Sequence, residues 1–301
     1  MLEGLNKINW DNLYHAYGVA SDLPLLLKQI AHKDEAMSTK ALTTLFGNVY
    51  HQGTRWEASA YVVPFLFDLL RNKDTLNRNH LLKLVLFLAI GDDFLKVDKL
   101  PFEAEKMIQL YEDFLEHEKK EIIQKLHNES HVLTNSEVDK FNRLVILWAK
   151  ECYRETEARV SEICQLMEDE NAEVAKMAIC SLPWFYKHQE IFVEPMLRLL
   201  QKNESLDLKV TALLTVGVIQ NLDQRFISHL ENYSSVNHHF FIRLASVISL
   251  VECGIFVHEE LLFQAEAQRP LINEFGAKIP YDRPLIGFVA HARNLVAKQS
   301  R

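Results

Sequence analysis

His51-Gln52-Gly53-Thr54-Arg55-Trp56 is a run dense in groups that bond directionally or stack. Imidazole, carboxamide and guanidinium orient a partner, and an indole offers a broad apolar plane, the combination that concentrates binding energy at protein interfaces. Tyr14, His15 and Tyr17 lie upstream and can fold over the same edge. The expected patch uses Tyr14, Tyr17 and Trp56 as anchors and His15, His51, Gln52 and Arg55 as polar contacts. In purely structural roles, His51 and Asn48 would instead cap helix ends, Gly53 would take a positive φ, and the aromatics would seal the N-terminal end of the core.

Other residues suggest less chemistry. His127 and His131 stand four apart, the spacing that puts two imidazoles on one helical face, but Asn128 occupies the position where a zincin carries Glu. A solvated pair is the expectation there. His238-His239 suits a turn before Phe240. Cys152, Cys164, Cys180 and Cys253 form no C-x-x-C pair, and each lies in an apolar helical pattern, so buried thiols are expected. No phosphate-cradling glycine loop and no G-x-S-x-G element occurs. These residues predict no catalytic group, no metal and no cofactor.

The elements that position the patch follow from the scarcity of turn residues. Gly (9) and Pro (8) are few for 301 residues, which points to helices joined by short loops. Pro24, Pro64 and Pro195 each precede an apolar stretch and suit the first turn of a helix, where the missing N–H is harmless; Pro64 could instead kink a helix begun near Glu57. Asp22 stands where it could cap the first of these. Seventeen residues after each Pro come Ala41, Leu81 and Ala212, all in second amphipathic stretches. Counting back the same distance from Ala178 and Ala245 reaches Ser161 and Ser228, so five units align. Two residues into each unit stand Leu26, Leu66, Ile163, Leu197 and Leu230; ten residues in stand Asp34, Asp74, Asn171, Ser205 and His238, where the two helices should join. A helix hairpin repeats because it buries one face and leaves another stripe for a neighbour.

Pro-led first helices, Asp-type turns and second helices such as Glu173-Val-Ala-Lys-Met-Ala178 resemble the HEAT repeat of the armadillo-like superfamily. The resemblance covers residues 22–90 and 158–252. It implies an all-α fold, a right-handed superhelical solenoid spanning 1–301. The chain departs from a regular array over 92–150, where an irregular helical insertion is expected, and Pro270, Pro280 and Pro284 break 255–301 into short pieces that suit a C-terminal cap. Within the insertion, helices are expected from Pro101 to Leu126 and from Val138 to Tyr153. The segments Trp10-x-x-Leu13-Tyr-His-Ala-Tyr-Gly18 and Gly47-Asn-x-x-His-Gln-Gly53 are similar, more narrowly, to uncharacterised bacterial HEAT-like proteins, a group that includes candidate toxin-immunity factors.

A net charge of −8 argues against a protein whose whole surface binds nucleic acid, and favours a basic protein partner. HEAT-like enzymes are the rival class. A DNA-lesion glycosylase needs a basic inner face, for which Lys40, Lys176, Lys209 and Arg243 are candidates, but acidic residues dominate 151–173. A metal-dependent HEAT hydroxylase uses several His-Glu pairs on facing repeats, and His258-Glu259 is a pair of that kind. No apolar run approaches the ~20 residues of a membrane span. Glu3, Lys7 and Asp11 interrupt any signal-peptide pattern, so a cytoplasmic location is expected. The expected role is a non-catalytic solenoid that captures another protein, an immunity or inhibitor protein being one form of it.

Overall fold

The computed structural model describes residues 1–97, 116–128, 132–202, 205–219, 222–255 and 257–299. They are overwhelmingly helical, with two short β-hairpins near the N-terminus. Contacts divide the chain into two compact units, Met1–Asp92 with the described part of Glu103–Arg159, and the described parts of Asp93–Phe102 and Val160–Arg301.

In the first unit, 3₁₀ turns lead into α1 (Leu23–Ile30), followed by α2 (Glu35–Val49), α3 (Ser59–Arg71), α4 (Arg78–Ala89), α5 (Glu116–Leu126) and α6 (Asn135–Glu157). Asp34 caps α2 by accepting from the Met37 amide at 2.9 Å. Pro24 sits in the first turn of α1, but Asp22 does not cap it; its carboxylate instead receives Asn48 Nδ2 at 2.8 Å and faces His15. Pro64 lies inside α3, one turn past its start, so it interrupts a helix that begins before it. α1 packs on α2, α3 on α4, and α6 against both α3 and α4. The expected helix from Val138 to Tyr153 is therefore longer, opened by a capping box in which Thr134 and Glu137 satisfy each other's backbone amides. Of the expected helix from Pro101 to Leu126, residues 101–115 lie outside the described residues.

The second unit runs α7 (Val160–Leu166), α8 (Ala172–Ser181), α9 (Gln189–Gln201), α10 (Leu206–Val218), α11 (Gln224–Tyr233), α12 (Phe240–Glu252), α13 (Glu260–Ala267), α14 (Arg269–Gly276) and α15 (Leu285–Gln299). Pro195 falls in the interior of α9, which follows a 3₁₀ segment from Leu182 to His188, and does not open that helix. α8 packs on α10, α10 on α12 and α12 on α15, so second helices lie side by side. Gly217 lets α10 and α12 approach closely: a Cβ there would stand 2.6 Å from Ser249 Oγ and 2.7 Å from Ser249 Cα. The same Ser249 hydroxyl donates to the Leu213 carbonyl at 2.7 Å, which satisfies a polar group inside the seam.

The second-helix register is buried in both units. Ala41, Leu81, Ala178, Ala212 and Ala245 are all in the core. At the position two residues into each unit, Leu66, Ile163, Leu197 and Leu230 are buried and Leu26 is half-buried.

Candidate functional site

Two antiparallel hairpins carry the residues singled out above. β1 (Tyr14–His15) pairs with β2 (Gly18–Val19), and β3 (Tyr50–His51) pairs with β4 (Thr54–Arg55). Between β3 and β4, Gln52 (φ +48) and Gly53 (φ +82) form a two-residue turn with both positions left-handed, the twist that a tight hairpin needs. Gly53 adopts it without strain; Gln52 bears a side chain there. The Ala16 amide donates to the Asn48 carbonyl and the Ala58 amide to the Tyr14 carbonyl, each at 2.9 Å, so the first hairpin is tied to the end of α2 and the approach to α3.

Tyr17 projects between the hairpins with 65% of its surface exposed, yet both its ends are held. Its amide donates to His15 Nδ1 at 3.0 Å, and its hydroxyl lies 3.1 Å from His51 Nδ1. An amide can only donate, so His15 Nδ1 must accept, which places the ring proton on Nε2, facing Asp22 Oδ1 at 2.9 Å. Burial lowers the His15 pKa against the opposing pull of Asp22, consistent with this neutral tautomer. His15 is buried and acts as a support for Tyr17.

Arg55 and Trp56 turn inward. The Arg55 guanidinium donates to the Leu88 and Phe87 carbonyls in the last turn of α4, at 2.9 Å each, and sits 5.2 Å over the Tyr50 ring. Burial lowers its pKa, with Tyr50 opposing. Gly91 (φ +100) makes room for it, since a Cβ would lie 3.1 Å from Arg55 Nη2. Trp56 stacks on Trp148 of α6, centroids 5.9 Å apart, in a core cluster that also holds Ile122, Ile123 and Leu144, with Tyr14 packed at its margin. Both indole N–H groups, Trp56 Nε1 and Trp148 Nε1, are buried with no hydrogen-bond partner among the described residues.

Beside the second turn opens a cleft of ≈ 430 Å³. Phe46, Tyr50 and Phe87 form its aromatic wall, with centroids 5.2–5.9 Å apart and edge-to-face geometry. Gln52, His80, Lys83 and Asp92 supply its polar lining. Tyr50 donates its hydroxyl to Asp92 Oδ1 at 2.8 Å, and burial together with that bond pushes its pKa up. Of the residues expected from the sequence, only Gln52 reaches this cleft. The missed ones were signalled in part by spacing: Lys83 and Phe87 are four apart on α4 and share a face, and Phe46 lies on the last turn of α2, four residues before Tyr50 of β3.

The remaining candidates are placed as follows. His127 has Nδ1 2.9 Å from the Ile123 carbonyl and Nε2 3.1 Å from the His15 carbonyl, so both ring nitrogens are engaged; His131 lies outside the described residues. His239 caps α12. Lys176 is buried in ion pairs with Glu173 (2.7 Å) and Asp207 (3.3 Å) and donates to the Lys278 carbonyl. Lys209 sits 5.7 Å over the Tyr233 ring. Burial pushes the thiols up, Cys164 and Cys180 to about 12 and Cys253 to about 11, and Cys152 in the same direction. They are protonated at neutral pH and form no disulfide. Among the described residues no three His, Cys, Asp or Glu side chains gather as metal ligands, and no helix is long and apolar enough to cross a membrane. No family model matches the chain, and neither a curated protein nor a solved structure matches it.

Proposed function

We propose that the protein is a non-catalytic binding module whose contact surface centres on Tyr17, His51 and Gln52 and extends into the aromatic cleft beside Gln52. The observation that carries this reading is Tyr17, an exposed aromatic ring fixed at amide and hydroxyl. An anchor ordered before binding loses little conformational entropy on association, which is where rigid aromatics gain their weight at interfaces. The helix hairpins form a right-handed HEAT-like solenoid in this reading, with the two β-hairpins at one edge of it. A chain of net charge −8 suits a basic protein partner, and toxin neutralisation by an immunity or inhibitor protein is one concrete form of that role. A cytoplasmic setting goes with it, supported by four cysteines that remain thiols.

Affinity capture with the intact chain and with Tyr17→Ala tests the reading. The expected result is a protein retained by the parent chain and lost from Tyr17→Ala, whose thermal unfolding stays within about 0.5 kcal/mol of the parent, as for other exposed positions. Equal retention by the two chains would remove Tyr17 from the contact surface and refute the assignment.

A further inference from the structure

A second cleft, of ≈ 460 Å³, lies within the second unit, lined from α11, α12 and α13. Arg243, Val247 and Leu250 stand at i, i+4 and i+7 of α12, so one helical face carries a guanidinium and then an aliphatic strip over about 10 Å of rise. At the far end Gly254 (φ +76) stops the helix, and the Ile255 amide donates to the Leu250 carbonyl at 2.9 Å, the bond that folds a chain back over its own last turn. Ile255 and Val257 line the same cleft beyond that turn. Leu261 of α13 and Val236, 79% exposed, add to the aliphatic lining, and no aromatic ring belongs to it among the described residues.

Arg243 is the half-buried charge of this cleft. Its side chain makes no hydrogen bond and no ion pair among the described residues, and its Nε is buried. The fold holds a guanidinium in place without using it, although a charged donor taken from water without a partner costs stability. The Ser234 hydroxyl is already given to the Glu231 carbonyl at 2.7 Å. Glu231, His258 and Glu260 also line the cleft but are exposed, where water screens them. An anion is therefore the complement of the half-buried group. The terminal nitrogens of Arg243 form a fork that matches a carboxylate, whereas a phosphate dianion would meet stronger repulsion from Glu231 and Glu260. Aliphatic walls without a ring to stack on suit an alkyl chain better than a flat ring. We infer that this cleft binds a medium-chain aliphatic monocarboxylate, its carboxylate on the terminal nitrogens of Arg243 and its chain along Val247 and Leu250 toward Ile255. The volume lies within the range of small-molecule sites. The cleft shares no residue with the surface around Tyr17, so either assignment can fail without the other.

Titration calorimetry of the full chain with octanoate, octylammonium, octyl phosphate and acetate tests the inference, because each of the last three changes the head group or removes the chain. Octanoate is expected to bind with a Kd below about 1 mM, octylammonium and octyl phosphate roughly tenfold more weakly, and acetate not at all up to about 10 mM. Arg243→Met should weaken octanoate about tenfold, leave octylammonium no weaker, and unfold no earlier on heating than the parent, because no bond within the protein is lost. Arg243→Lys, with the charge but not the fork, should fall between the two. No binding of octanoate up to about 10 mM, any analogue that matches octanoate, an octanoate affinity unmoved in both variants, or a clear loss of thermal stability in Arg243→Met would each overturn it.

Discussion

Replacing Arg55 with Met keeps an apolar stem of similar reach and removes the guanidinium that closes the end of α4. Two charge-assisted bonds disappear, Nε to the Leu88 carbonyl and Nη2 to the Phe87 carbonyl, both at 2.9 Å; the contact of Nη1 with the Gly53 carbonyl, at 3.4 Å, adds little. A bond to a charged group contributes about 1.5–3 kcal/mol. A cation at a helix C-terminus and over an aromatic face adds about 0.5–1 kcal/mol for each. Arg55 is half-buried, so water screens the helix-end and aromatic contributions, and the two bonds at the low end of their range give a loss of about 3 kcal/mol. Arg55→Lys retains the charge but reaches one carbonyl at best, so roughly half of that loss should remain. Hydrogen exchange over the α4 peptides isolates the effect from the second unit, and should accelerate about a hundredfold in Arg55→Met. A loss below about 1 kcal/mol, or a Lys variant indistinguishable from the parent, would show that Arg55 is not the cap of α4 and would return it to the list of contact residues.

Gly217→Ala should destabilise the second unit by about 2–3 kcal/mol, read by urea unfolding, because the new Cβ meets the Ser249 backbone; an unchanged midpoint would mean that the α10–α12 seam is looser than it stands. Burial raises the Glu252 carboxyl to about 7, against Arg283 Nη1 at 3.7 Å and His291 Nε2 at 3.6 Å, so its contribution is greatest below about 4.5 and is lost as pH rises through 7. Relative to Glu252→Gln, the parent should lose up to about 3 kcal/mol between roughly pH 5 and 8, and parallel pH–stability curves would refute this. His15 has the opposite sign: its folded pKa lies below the free value of 6.5, so its contribution is present above that value and is lost as pH falls through the lowered one. Acidification should therefore release Tyr17, seen as averaging of its ring resonances, while a ring signal that stays constant until the whole chain unfolds in acid would count against His15 as its support.

The helices were legible because burial in a hairpin stack imposes a spacing that composition cannot hide. Ala41, Ala178, Ala212 and Ala245 occupy positions where two helices meet, and an apolar stripe must recur around each of them. Proline was less informative. Pro24 lies in a first turn, but Pro64 and Pro195 sit inside helices, since one lost bond is tolerated where the apolar face on either side is well packed. Asp22 could not be read as a partner of His15 and Asn48, because Asn48 lies 26 residues away along the chain. The neutral imidazole and the fixed Tyr17 amide depend on that tertiary contact.

The hairpin explains why one dense run of recognition residues divides into two kinds. Successive strand residues point to opposite faces, and the register places Tyr50 opposite Arg55 and His51 opposite Thr54. Tyr50 and Arg55 accordingly share the face that packs on the end of α4, while His51 shares the other with the Tyr17 hydroxyl. Gln52-Gly53, between β-prone Tyr50 and Thr54, is the sequence signal for that turn, and strand alternation on either side of it sorts the run. Substitutions at Tyr17, His51 and Gln52 should therefore change partner affinity with little change in stability, and those at His15, Arg55 and Trp56 should change stability first. If both sets lowered affinity in proportion to lost stability, the hairpins would be scaffold only, and the contact surface would have to be sought on the helices.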